Sequence, residues 1–128
     1  MDREKLLDLY KKYELGKTDV YKHQHYVIIT RQGIEKIAAK ENIAINYEVV
    51  KCEPNFAVVK AYAKKEEVQI ETFGSALKGA NYKDGNCNSW YVMEMAEKRA
   101  LSRSVLKLTG FYELGVFGED ESDDFKRK

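Results

Sequence analysis

The chain has 128 residues with 22 Lys/Arg, 21 Asp/Glu and a formal charge of +1, so neither a strongly basic nor a strongly acidic partner follows from net charge. Hydrophobic residues at 44% and aromatics at 12% exclude a globally disordered chain, and a length of this size fits one domain with a real core. No apolar run reaches about 18 residues, which gives no reason to expect a membrane span.

Residues 3–13 (REKLLDLYKKY) predict a short helix with Leu6, Leu7, Leu9, Tyr10 and Tyr13 as its apolar members, ended by Gly16. Residues 17–23 read as a polar linker, and residues 25–30 (HYVIIT) as a β-rich run. Thr30 can cap a helix over about 32–41 that turns Ile34, Ile37 and Ala38 inward, although Gly33 weakens it. Three strands follow over 45–52, 56–63 and 68–74. The turn between the first two holds Pro54, the only proline. Such short links imply an antiparallel meander. Residues 75–88 form a Gly/Asn-rich loop.

Residues 88–110 (NSWYVMEMAEKRALSRSVLKLTG) predict one long amphipathic helix, with Ser89 as N-cap and Gly110 as the stop. Met93, Ala96, Ala100, Ser104 and Leu108 share one side, a small-residue face suited to close packing on a sheet. Arg99, Arg103 and Lys107 recur every four residues, with Lys98 alongside. A row of cations opposite a packed face can grip a phosphate backbone, and a merely solvated face gives the same pattern. The remainder, FYELGVFGEDESDDFKRK, mixes aromatics with acids and is expected to end as a mobile tail. The expected class is α+β: an antiparallel three-stranded β-meander followed by a long amphipathic helix, with additional N-terminal helices. Residues 1–118 form a single domain and 119–128 an acidic flexible tail.

Residues 1–112 carry 19 Lys/Arg against 15 Asp/Glu, and residues 113–128 carry 3 against 6. A mildly basic body with an acidic tail suits a nucleic-acid binder, and equally a solubilising tail. His23 and His25 stand two apart, and Cys52 and Cys87 are isolated. No zinc spacing results, and no metal or cofactor is expected. Glu94 and Glu97 sit at i, i+3, where salt bridging within a basic helix explains them better than acid–base chemistry. With no Walker A, Rossmann or HExxH pattern, the chain is not expected to be an enzyme. The N-terminus lacks a signal-peptide core, so a cytoplasmic location and free thiols are expected.

Aromatics alternate with cations at Lys60/Tyr62/Lys64 and at Tyr82/Lys83/Trp90/Tyr91, and Arg31 follows a strand end. Bases stack on exposed rings while Lys and Arg track phosphates. The same Tyr62, Phe56 and Trp90 could instead serve the core.

The stretch IETFGSA (70–76), a loop, and YVMEMAEKRALSRSVLKLTGF (91–111) resemble the Rad-fifty-two-like single-strand annealing superfamily, above all its small phage-type members. The resemblance rests on Glu94, Ala96, Glu97, Lys98, Arg99, Ala100, Arg103, Ser104, Val105 and Leu106, with Gly74, Ser75 and Ala76 ending the strand before them. It spans roughly residues 30–118. It implies single-stranded-DNA binding, with strand annealing in phage-type recombination or replication inside a bacterial or phage-infected cell. It also implies a homo-oligomer, as a ring or filament, and makes Arg99 and Arg103 groove or structural cations supported by Lys98 and Lys107. The expected nucleic-acid contacts are thus Arg99, Arg103, Lys98, Lys107, Lys83, Tyr82, Trp90, Tyr91 and Arg31. The tail 119–125 (EDESDDF) also resembles the acidic, phenylalanine-bearing tips with which bacterial single-stranded-DNA-binding proteins recruit protein partners, although Lys126, Arg127 and Lys128 follow here.

Two other readings stay open. The order from Thr30 to Gly110 matches a double-stranded-RNA-binding domain, but the turn at 89–92 has no lysine cluster. A protein-binding adaptor or inhibitor without nucleic-acid activity would account for the high charge content and the acidic tail.

Overall fold

The computed structural model describes residues 3–79, 85–87 and 90–121. Helix α1 (Arg3–Lys12) is followed by a hairpin of β1 (Val20–His23) and β2 (Tyr26–Ile29), then by α2 (Arg31–Lys40). The meander β3 (Ala44–Glu53), β4 (Phe56–Lys65) and β5 (Val68–Leu77) comes next, then α3 (Val92–Leu108) and a short β6 (Val116–Gly118) flanked by single 3₁₀ turns. The architecture is α+β, with an antiparallel meander and a long helix, as expected. It holds more than the sequence reading did.

The difference is a second sheet, ordered β1-β2-β6. Residues 17–23 were expected as linker, yet Val20–His23 pairs antiparallel with Tyr26–Ile29. The aromatic segment between the long helix and the expected tail was assigned no strand, yet Val116–Gly118 pairs parallel with Val27–Ile29. Both strands are short and carry few apolar residues. Their strand character comes from partners distant in sequence, not from their own periodicity.

Large side chains pack around this small sheet. Tyr13, Ile29, Ile34, Ile37, Phe111 and Val116 form the main core with Val105 and Leu106 of α3. Thr30 caps α2, its side chain accepting from the Gly33 N–H at 3.2 Å. Gly33 itself is dictated by space: a Cβ there would lie 2.9 Å from the Asp19 carbonyl oxygen. Asp19 is buried, accepts from the Gly16 N–H at 2.9 Å and pairs with Lys36 at 2.8 Å.

The meander packs differently. Its β4 and β5 strands lie under α3, and the contact is made by small residues. Ala57, Val59, Ala61 and Ala63 of β4 are buried, as are Ala96, Ala100 and Ser104 of α3. The approach is closest at Gly74, where a Cβ would sit 2.0 Å from the Ala96 carbonyl oxygen and 2.6 Å from the Ala100 nitrogen. The small-residue face read from the sequence is therefore the packing face. Thr72 adds a polar lock, its Oγ1 2.9 Å from the Ala100 carbonyl oxygen and 2.7 Å from Ser104 Oγ. The helix begins at Val92, later than expected, with Tyr91 at the cap position making no side-chain cap bond. Ser89, the expected cap, lies outside the described residues. Gly110 stops the helix as expected, with φ of +88°.

Candidate nucleic-acid interface

The cation stripe of α3 does not stay together in space. Arg99 is buried, with 3% of its surface exposed. Its Nη1 donates to the Ser75 carbonyl at 2.7 Å, Nη2 to the Asn86 carbonyl at 2.6 Å, and Nε to the Asp120 carbonyl at 3.1 Å. A guanidinium engaged on three backbone oxygens ties the helix to β5, to the segment before α3 and to the segment after β6. Buried and engaged in this way, Arg99 sits as a structural cation, one of the two roles the resemblance offered it. Helical periodicity put it on the polar side. The signal against that was its length, which lets a guanidinium reach past a small-residue face to carbonyls at the sheet margin.

Arg103 is half-buried and donates Nη1 to the Phe73 carbonyl at 2.8 Å. Phe73 and Ser75 are alternate residues of β5, so their carbonyls point the same way, off the outer edge of the sheet. At Leu77 the same edge is met by Asn86, whose Oδ1 accepts from the Leu77 N–H at 2.7 Å and whose N–H donates to the Leu77 carbonyl at 3.0 Å. The two arginines and Asn86 therefore close the second half of the β5 edge.

The other expected residues fall in several places. Lys107 is exposed, with its ammonium 5.1 Å from the Tyr112 ring centroid. Lys98 is half-buried and contributes, after Arg31, to the field at Asp120. Burial raises the Asp120 carboxyl above its ordinary range against the pull of those two cations. Arg31 sits where β2 and β6 end side by side. Its N–H donates to Glu119 at 3.2 Å and its Nε to Glu35 at 3.1 Å, in a largely acidic setting. Tyr82 and Lys83 lie outside the described residues. Trp90 and Tyr91 are 69% and 71% exposed, and Lys78 places its ammonium 4.8 Å from the Trp90 ring.

Sequence reasoning marked Lys60, Tyr62 and Lys64 but missed the open sheet face they share with Phe56 and Phe73. Because Ala57, Val59, Ala61 and Ala63 turn toward α3, the alternate residues Phe56, Val58, Lys60, Tyr62 and Lys64 occupy the opposite face. Cross-strand register adds Leu77, Ser75, Phe73 and Glu71 from β5, and Glu48, Lys51 and Glu53 from β3. Among the described residues no helix covers this face. Phe73 is 49% exposed. Lys60 places its ammonium 5.0 Å from the Tyr62 ring and 5.6 Å from that of Phe73, and Lys51 lies 5.9 Å from Phe56. The Tyr62 hydroxyl donates to Glu48 at 2.6 Å, a bond that raises its pKa, and Lys60 pairs with Glu71 at 3.5 Å. The signal was in FAVVKAYA, where small and large residues alternate strictly; small residues on one side mean a helix there and leave the large ones outside.

Among the described residues no group of three or more His, Cys, Asp or Glu could hold a metal ion. No helix among them is long and apolar enough to cross a membrane. No family model, no curated protein and no solved structure matches the chain.

Proposed function

We propose that the chain binds single-stranded DNA without catalysing a reaction on it, and that the uncovered face of the meander is the binding surface. One observation carries the reading. Three aromatic rings on an open sheet, Phe56, Tyr62 and Phe73, each have a lysine ammonium within 6 Å of the centroid. Rings that can stack bases, next to cations that can follow phosphates, are what sequence-tolerant single-strand binding requires. Trp90 and Lys78 repeat the pairing at the sheet end that holds the Asn55 turn, since the Lys78 N–H donates to the Asn55 carbonyl at 2.7 Å. Strand annealing in phage-type recombination or replication, inside a cell's cytoplasm, is the setting that the family resemblance supplies.

The face also carries Glu48, Glu53 and Glu71, so stacking contributes more than net charge. Neutralising each phosphate of a single strand contributes about 0.7 to the slope of log K against log salt. With Lys51, Lys60, Lys64 and Lys78 as the contacts, a slope no steeper than about −3 is expected. The test is fluorescence anisotropy with a labelled oligo-dT of about thirty bases across a salt series, against duplex DNA and duplex RNA competitors. Binding won by single strands with a shallow slope is the expected result. A preference for duplex RNA, or no binding at low salt, would overturn the reading; the latter would leave the face to a protein partner.

A further inference from the structure

The two margins of the meander are not alike. The β5 margin is closed over Phe73–Leu77 by Arg103, Arg99 and Asn86. The β3 margin has no ladder partner on its outer side among the described residues. It is ten residues long, and Val49 and Val50 at its middle are 57% and 52% exposed. A long, apolar, unpaired edge is a template for another strand.

We propose that β3 pairs antiparallel with β3 of a second copy, about a two-fold axis between Val49 and Val50. The order of its side chains selects that partner. In this register Glu48 of each copy faces Lys51 of the other, Val49 faces Val50, Tyr47 faces Cys52 and Asn46 faces Glu53. A β-bulge falls between Val49 and Lys51, so Glu48 and Lys51 both lie on the open face, opposite Lys60 and Val58 of β4. A bulge ordinarily blunts an edge. Here the extra residue falls on the symmetry axis in both copies and keeps the faces in phase on either side of it. The register that brings Glu48 against Glu53 opposes like charges, and the registers one residue away on either side set open-face residues against helix-side ones.

The product is a closed, isologous dimer with one continuous sheet, both α3 helices on one side and both open faces on the other. Ring or filament growth needs a head-to-tail contact between β3 and the β5 margin instead, and half of that margin is already occupied. The pairing does not depend on DNA binding by the open face, and each can fail without the other. A single strand-to-strand contact is small beside a stable interface of about 1,200 Å² or more, so the dimer is expected to depend on concentration.

Sedimentation velocity of the full chain over a concentration series tests it, with the 14.8 kDa monomer giving way to a species of twice that mass. Glu48→Lys and Lys51→Glu should each be monomeric, because each homodimer sets like charges together twice. Mixed in equal amounts they should dimerise, because every contact across the axis is then Lys against Glu. Since Glu48 accepts from Tyr62, Val50→Lys at the exposed centre is the second variant; it should stay folded by circular dichroism and be monomeric. A wild-type chain that stays monomeric at the highest attainable concentration, a mixture that does not associate, or variants that dimerise as wild type would each overturn the pairing. Oligo-dT binding that survives in monomeric Val50→Lys, a position outside the proposed DNA contacts, separates this failure from that of the DNA reading.

Discussion

The two sheets solve opposite problems with the same number of strands. The β1-β2-β6 sheet is assembled from segments far apart in the chain and is packed with large side chains, Ile29 and Val116 beside Phe111 and Tyr13. The meander is local in sequence, packs with small side chains on one side only and leaves its large ones outside. Stability is thus concentrated where the chain closes on itself, and recognition chemistry where the sheet is left half covered. Substitutions that hit one region and spare the other test that division.

The largest effect is expected at Phe111, fully buried with its ring 5.9 Å from that of Tyr13. Phe111→Ala removes a core ring and leaves a cavity, a change that costs about 3–5 kcal/mol. Chemical denaturation should show a lower midpoint with an unchanged slope. Phe73→Ala on the open face should leave the midpoint within about 1 kcal/mol of wild type. Equal losses at the two positions would dissolve the contrast between the sheets.

Arg99 links the two regions, since its three carbonyl partners belong to β5, to the segment before α3 and to the segment after β6. Arg99→Ala leaves the half-buried Asn86 and Asp120 carbonyls without this donor, while Ser75 keeps Asn86 Nδ2 at 3.4 Å. At about 1–3 kcal/mol for each unsatisfied group the loss is roughly 2 kcal/mol or more. Arg103→Ala removes the donor to the Phe73 carbonyl at a half-exposed position and should cost about 1 kcal/mol. Urea denaturation of both variants checks the ratio. A loss of oligo-dT affinity in Arg99→Ala without a loss of stability would restore this arginine to the DNA-contacting role its sequence position suggested.

Phe56→Ala combined with Phe73→Ala should weaken oligo-dT binding by about 1–3 kcal/mol per base no longer stacked. The same pair should change the denaturation midpoint little, because both rings are on the side away from α3. Anisotropy titration and denaturation on the same preparation measure the two quantities. Unchanged affinity in the folded double variant removes the open face from the binding surface.

The parts of this arrangement that were legible in the sequence are those governed by local spacing. The first helix, the Thr30 cap, the three meander strands and the small-residue face of α3 follow from periodicity and from cap chemistry over a few residues. The second sheet was not legible, because Val27 and Val116 pair across 89 positions and Val116–Gly118 is too short to carry a period. The candidate site was half legible. Lys60, Tyr62, Trp90 and Tyr91 were marked by type, but which side of β4 faced water depended on where α3 lay. The choice between groove and structural cation for Arg99 was not legible, because spacing reports the direction in which a side chain leaves the helix, not where a long one ends.

The smallest effects concern two acids that bear opposite signs in the pH dependence. Asp19 supports the small sheet's side of the molecule, and its carboxyl is held below the usual range by the Gly16 N–H and by Lys36. A lowered folded pKa means stability that is present above the unfolded value of about 3.9 and is lost as pH falls through the folded one. Asp120, beyond β6, has a raised pKa because burial outweighs the cations Arg31 and Lys98. Its ionised form is the less stable one in the folded chain, so its contribution declines as pH rises from the unfolded value through the folded one. Asp19→Asn should therefore lower the melting temperature at pH 7 and approach wild type in acid. Asp120→Asn, which keeps an acceptor for the Ser102 hydroxyl at 3.3 Å, should raise it slightly at pH 7 and converge as well. Both shifts correspond to about 1 kcal/mol or less for Asp120 and somewhat more for Asp19, whose variant also gives up the Lys36 pairing. Melting curves at pH 4 and pH 7 resolve the signs. Two variants that moved the same way at pH 7 would mean that Asp120 is held by its cations as Asp19 is, and that the segment after β6 is a charged clamp rather than a buried closure of the small sheet.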